Sequence, residues 1–229
     1  MPTFANKVAM ANNPGVKLPD LKTVPLVASK QTDGPSVERV TDARTRRQVY
    51  EVTIAAKMRR GGAGSAPEEF DTESIKKKFL EQDIGANALG KDEADDERFV
   101  DLAEEWMVKS LIWVCAIEKG RLGVTFYSHV GRPYKFHHSS FTSGGALVAA
   151  GEWIVENGSL RKISGNSGHY RPTIAELHRA VLCMSPAWQS DTEVMVYNKQ
   201  ANNWEYVPVN LFKVDPSGGG KYAAHAAQA

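Results

Sequence analysis

The chain has 229 residues, 42% of them hydrophobic, with 28 Lys and Arg against 27 Asp and Glu. That content suffices for one sizeable core, and a formal net charge of +1 argues against a surface built to hold a nucleic-acid backbone or an anionic membrane. Cys115 and Cys183 are the only cysteines, so neither a disulfide framework nor a cysteine-based metal site is expected.

The N-terminus lacks the charged-then-apolar order of a signal peptide, and no run approaches the ~20 apolar residues of a membrane span. A cytoplasmic protein is expected, with secretion by another kind of signal left open. Residues 1–36 hold Pro14, Pro19, Pro25 and Pro35 among small and polar residues without periodicity, which reads as a flexible arm. Residues 37–215 read as one domain and 216–229 as a flexible tail.

Within the domain, Tyr50, Val52 and Ile54 alternate with polar residues and predict a strand over 48–56, ended by the glycines of 61–64. Phe70, Ile75, Phe79 and Leu80 have helical spacing over 67–82, and a second helix is predicted over 98–109. The acidic run 92–97 between them reads as a solvated loop or a first helical turn. Together, 57–105 form an insert of different composition. Strands are then predicted over 111–117, 123–127, 134–141, 147–155 and 159–164. Asn157-Gly158 between the last two is a hairpin signal, because both residues tolerate positive φ.

Thr173 and Glu176 have the spacing of a capping box, so a helix begins there, lined by Ile174, Leu177, Val181 and Met184 and ending at Pro186. Residues 192–197 and 204–209 read as a final strand pair. The expected fold class is α+β, a mostly antiparallel sheet of about six or seven strands with two or three helices.

Two polar segments flank the central hairpin: His137-His138-Ser139-Ser140-Phe141 and Asn166-Ser167-Gly168-His169-Tyr170-Arg171-Pro172. The strand order lets them meet. The run from Phe136 to Thr173 carries, in order, His-Ser-Ser-Phe, Ala-Ala-Gly, Glu-Asn-Gly and Ser-Gly-His-Tyr-Arg-Pro. It resembles the central signature of the plant IQ-motif calmodulin-binding protein family. Weaker likeness extends through Tyr50-Glu51-Val52 and Ile112-Trp113-Val114.

The resemblance implies an α+β domain acting in calcium and stress signalling, with calmodulin bound at an IQ helix placed before it. No such helix accompanies Arg44 to Arg47 here, so calmodulin is not carried over as an expected partner. The first functional reading is therefore a signalling or interaction module with a protein or small phosphorylated ligand as partner. The alternative is a secreted or effector-like enzyme acting on a nucleotide or phosphorylated substrate, with ADP-ribosyltransferase-like chemistry as one form.

In either case the candidate residues are the same. His138 and His169 are the acid-base candidates, while Ser139, Ser140, Ser167, Tyr170 and Arg171 would position a ligand. The competing reading is a buried hydrogen-bond network that closes the sheet. No metal site and no cofactor are expected, since no paired carboxylate or Cys accompanies the two histidines at ligand spacing. Gly144-Gly145 with Gly151 lacks the spacing of a phosphate loop.

Overall fold

A computed structural model describes residues 37–61, 67–82, 100–118, 123–132 and 135–226. The predicted N-terminal arm, the acidic run 92–97 and most of the glycine break lie outside the described residues.

The elements in chain order are α1 (Ala43–Tyr50), β1 (Glu51–Thr53), β2 (Arg59–Arg60), β3 (Glu68–Glu69), α2 (Thr72–Gln82) and α3 (Val100–Lys109). There follow β4 (Leu111–Ile117), β5 (Val124–His129), a 3₁₀ turn (His138–Thr142), β6 (Ala149–Glu156) and β7 (Ser159–Ser164). The chain continues through α4 (Ile174–Cys183), a second 3₁₀ turn (Ser185–Ala187), β8 (Trp188–Asn198), β9 (Asn203–Pro208), α5 (Val209–Val214) and β10 (Tyr222–Ala223).

The ten strands among the described residues belong to one sheet in the order β10-β8-β7-β6-β4-β5-β1-β2-β3, with β9 on the other edge of β8. Every pairing is antiparallel except that of β7 with β8, which α4 connects. The fold is thus α+β with a mixed, mostly antiparallel sheet. Six strands have six residues or more, the number that alternation can reveal; the four short ones raise the count above the expected six or seven. Five α-helices stand among the described residues rather than two or three, because α1 and α5, of eight and six residues, are too short for helical spacing to repeat.

Alternation along the strands separates two faces. On one, Trp113, Cys115, Phe126, Trp153, Val194 and Val196 form the main core with Leu177 and Val181 of α4 and Phe212 of α5. On the other, Val114, Tyr127 and Ala150 pack beneath Phe136, Phe141, Leu147 and Tyr170. Ile154, Met195, Tyr197 and Trp204 form a third cluster with Trp106 of α3.

Two expectations are corrected. Residues 48–50 are helical, because Asp42 accepts from the amides of Arg44 (3.3 Å) and Thr45 (2.7 Å) and starts α1 upstream of the alternating stretch; only Glu51–Thr53 remains strand. Within the strand predicted over 134–141, whose first residue lies outside the described residues, His138–Phe141 belong instead to the 3₁₀ turn. Its backbone is satisfied locally: the His137 amide donates to Ser140 Oγ (3.0 Å) and the Ser140 amide to the His137 carbonyl (3.0 Å).

Within 216–229, Tyr222–Ala223 pairs with Asn198 and Tyr197 of β8, and Ala224 is fully buried. β7 leaves the edge of β8 after Ser164 pairs with Met195, while β9 occupies the opposite edge through Asn198. β10 fills the vacant hydrogen-bonding edge.

Candidate functional site

The His-Ser-Ser-Phe segment is held under the second face of the sheet by Phe136 and Phe141, whose rings meet edge to face at 5.0 Å. His138 is 5% exposed, and its Nε2 lies 2.9 Å from the carbonyl oxygen of Gly151 on β6. A carbonyl only accepts, so Nε2 carries a proton, and the neutral ring is the Nε2–H tautomer. Burial pulls its pKa down to about 4, against the support of the Gly151 bond, and His169 and His137 push the same way as burial. Ser139 and Ser140 are fully buried, and the Ser140 carbonyl accepts from the Val40 amide at 2.9 Å.

Gly151 is required where it stands, since a Cβ there would overlap the Ser164 carbonyl oxygen as the chain leaves β7. That crossing brings the second segment over the first. Ser167 is 1% exposed and its Oγ accepts from the Tyr170 amide at 3.4 Å. Tyr170 is fully buried and donates its hydroxyl to the Gly145 carbonyl at 2.8 Å, with Thr142 Oγ1 at 3.4 Å. Arg171 is exposed with φ of 42°, and its Nε donates to the Gly168 carbonyl at 3.1 Å.

The two segments therefore meet, as the strand order predicts. The ring that packs against half-buried His169 is His137, at 5.2 Å between centroids, while His138 lies deeper on the backbone of β6. Alternation also places Glu152 on the face of Ala150 and Ile154, between the two covering clusters. Its carboxylate accepts from Ser110 Oγ at 2.9 Å and from Asn166 Nδ2 at 3.4 Å. The sequence reading leaves Glu152 unassigned, because a lone strand carboxylate carries no sign of which face it takes.

Arg46 and Arg47 of α1 are also engaged. Arg46 Nε lies 3.1 Å from Glu118 Oε1 and Arg47 Nε 3.7 Å from Oε2, while Arg46 Nη1 donates to the Phe141 carbonyl at 2.9 Å. Arg46 thereby ties α1 to the histidine-bearing turn. Among the described residues, no group of three or more His, Cys, Asp or Glu could hold a metal ion. A cleft lined by Lys57, Arg59, Pro67 and Glu69 adjoins the β6–β7 hairpin tip, where Lys57 Nζ donates to the Asn157 carbonyl at 2.6 Å.

Residues 95–177 match the family model of the IQ motif-containing protein middle domain. Similar curated proteins of Arabidopsis thaliana include IQ domain-containing protein IQM3, 55% identical over 47 residues that cover 20% of this chain and 10% of that protein. IQ domain-containing protein IQM2 is 55% identical over 47 residues, 20% of this chain and 8% of its own length. IQ domain-containing protein IQM5 is 39% identical over 64 residues, 27% and 13% respectively. The matched stretch spans about a tenth of the relatives' length. No solved structure matches the chain. The hairpin and the two polar segments it brings together thus lie in a stretch that resembles the middle domain of the IQ motif-containing proteins.

Proposed function

We propose that the chain is a signalling or interaction module in which the signature segment is an internal brace rather than an open catalytic site. The observation that carries this reading is the inward use of its polar groups. His138 Nε2 is on the Gly151 carbonyl, Tyr170 Oη on the Gly145 carbonyl, and Ser139 and Ser140 are sealed from solvent. A nucleophile or general base must reach a substrate proton, whereas His138, Ser140 and Tyr170 each reach backbone.

The solvent-facing remainder, half-buried His169 and exposed Arg171, is the surface offered to a protein partner. Calcium-loaded calmodulin is the first candidate to test. In this reading α1 does not supply its docking helix, since Arg46 and Arg47 are held by Glu118.

A thermal-shift screen against ATP, NAD, sugar phosphates and calcium-loaded calmodulin tests the proposal. A ligand bound at 100 times its Kd adds about 2.7 kcal/mol, a rise of several degrees in Tm. The module reading predicts no shift with the nucleotides and sugar phosphates. A nucleotide-induced rise that His138→Gln removes, in a variant that still folds, would overturn it in favour of the enzyme.

A further inference from the structure

His129 ends β5 where the coverings of the two sheet faces meet. Its ring centroid is 5.1 Å from that of Tyr50 on α1, 5.2 Å from Phe79 on α2 and 4.9 Å from Phe136 ahead of the 3₁₀ turn. Phe79 packs on the main core, whereas Tyr50 and Phe136 belong to the second face. One imidazole therefore touches the covers of both. Its Nδ1 is buried without a hydrogen-bond partner.

Among the described residues, the charged groups that act on this ring are both cations, Arg60 of β2 and Arg132 just beyond β5. Arg60 donates through Nε to the Val49 carbonyl of α1 at 3.1 Å and faces Glu68 across the β2–β3 pair. Arg132 lies over the Phe79 ring at 5.4 Å and is paired with Glu38. The carboxylates near the cage are thus matched to the two arginines. From α1, α2 and β4, the groups in register or in ring contact with His129 are Tyr50, Phe79 and Ile112. Of these only Tyr50 titrates, and burial raises its hydroxyl above the ordinary value.

We propose that His129 is an acid-responsive latch, whose protonation releases α1 and α2 from the end of the sheet before the central strands open. An imidazolium here would sit among aromatic rings and two guanidiniums, with no acceptor for its second N–H. The proton instead binds the opened form, where the ring is in water. Burial, with Arg60 and then Arg132, holds the closed-state pKa at about 3 against 6.5 for a free ring. Lowering the pH from about 7 to 5 then multiplies the opening constant by about 25.

The helix caps do not melt in that window. Hydrogen bonds from the Thr45 hydroxyl and amide lower the Asp42 pKa. For Asp71 burial acts upward, but bonds from Ser74 and Asn157 outweigh it and the net shift is down. Both caps stay ionised at pH 5. The inference rests on this cage alone and is independent of the module reading.

Hydrogen exchange on the full chain at pH 7 and pH 5, corrected for intrinsic rates, tests the latch in the unaltered protein and in His129→Phe, which keeps an aromatic ring without a proton site. Residues 43–53 and 72–82 are expected to open about 25-fold more at pH 5 in the unaltered chain and less than threefold more in the variant, while β6 and β7 stay better protected than these segments at both pH values. Equal protection at both pH values, or the same loss in the variant, overturns the proposal. Should the variant not fold, NMR of the unaltered chain decides. The His129 ring should stay neutral down to the pH at which the 43–53 amides lose protection, whereas titration near 6.5 with those amides still protected refutes the latch.

Discussion

His138, of a residue type that suggests acid-base chemistry, is hydrogen-bonded in the fold to the backbone carbonyl of Gly151. A hydrogen bond of this kind is worth about 1 kcal/mol net, but leaving the Gly151 carbonyl buried and unpaired costs about 1–3 kcal/mol. We expect His138→Ala to lose about 2–4 kcal/mol, since a cavity is added to the lost bond. Denaturant melts of the variant would measure it, and a loss below about 0.5 kcal/mol would contradict the bracing role. Gly151→Ala should be at least as damaging, because the Cβ meets the Ser164 backbone rather than a yielding side chain.

Acid dependence follows from the same burial. The His138 pKa is lowered in the folded state to about 4, so above pH 6.5 both folded and unfolded chains are neutral at this position and it contributes nothing to pH dependence. As the pH falls below 6.5, the unfolded chain takes up a proton that the folded one refuses, and stability drops by about 1.4 kcal/mol per pH unit until about pH 4. His129 acts in the same direction, with its folded value at about 3. The Asp42, Asp71 and Glu205 pKa values are lowered instead, so their contribution survives until the pH falls through their folded values. Urea melts between pH 7 and 5 should therefore show a steep loss, which His138→Gln and His129→Phe each make shallower.

At the level of elements, Thr173 and Glu176 carry a complete local message. The Thr173 amide donates to Glu176 Oε2 at 2.6 Å and the Glu176 amide to Thr173 Oγ1 at 3.4 Å, and α4 starts where the capping box predicts. Thr173→Ala should cost about 1 kcal/mol in equilibrium unfolding, and Thr173→Ser much less. The long strands were equally legible: 111–117 and 159–164 have the predicted bounds, and Asn157 and Gly158 turn the hairpin with φ of 47° and 73°. The segment 134–141 was not legible as a turn. Its apolar residues Phe136 and Phe141 suit a strand, and only the Ser140 bonds, which depend on conformation, select the 3₁₀ form.

On the scale of the whole molecule, the sheet is completed by pieces too short for any periodic signal. β10 extends the edge that β7 vacates, and Ala224 behind it packs toward Gly165 and the main core. We expect Ala224→Leu to destabilise by about 1–3 kcal/mol through overpacking, which a thermal melt would register. A flexible tail would tolerate the change.

The meeting of the two polar segments could be foreseen from strand order, because the hairpin between them fixes their relative place. Their depth could not: it depends on the close approach of β7 to Gly151 and on the stack of Phe136, Phe141 and Tyr170 over the sheet, which are tertiary facts.

The bracing role of the signature segment is tested most directly by following the His138 imidazole through an NMR pH titration. The structure predicts a neutral ring with its proton on Nε2, unchanged from pH 7.5 down to about pH 5 while the chain stays folded. A His138 ring that titrates near 6.5 in the folded protein, with its N–H exchanging freely with water, would contradict it and reopen the segment as a solvent-accessible site.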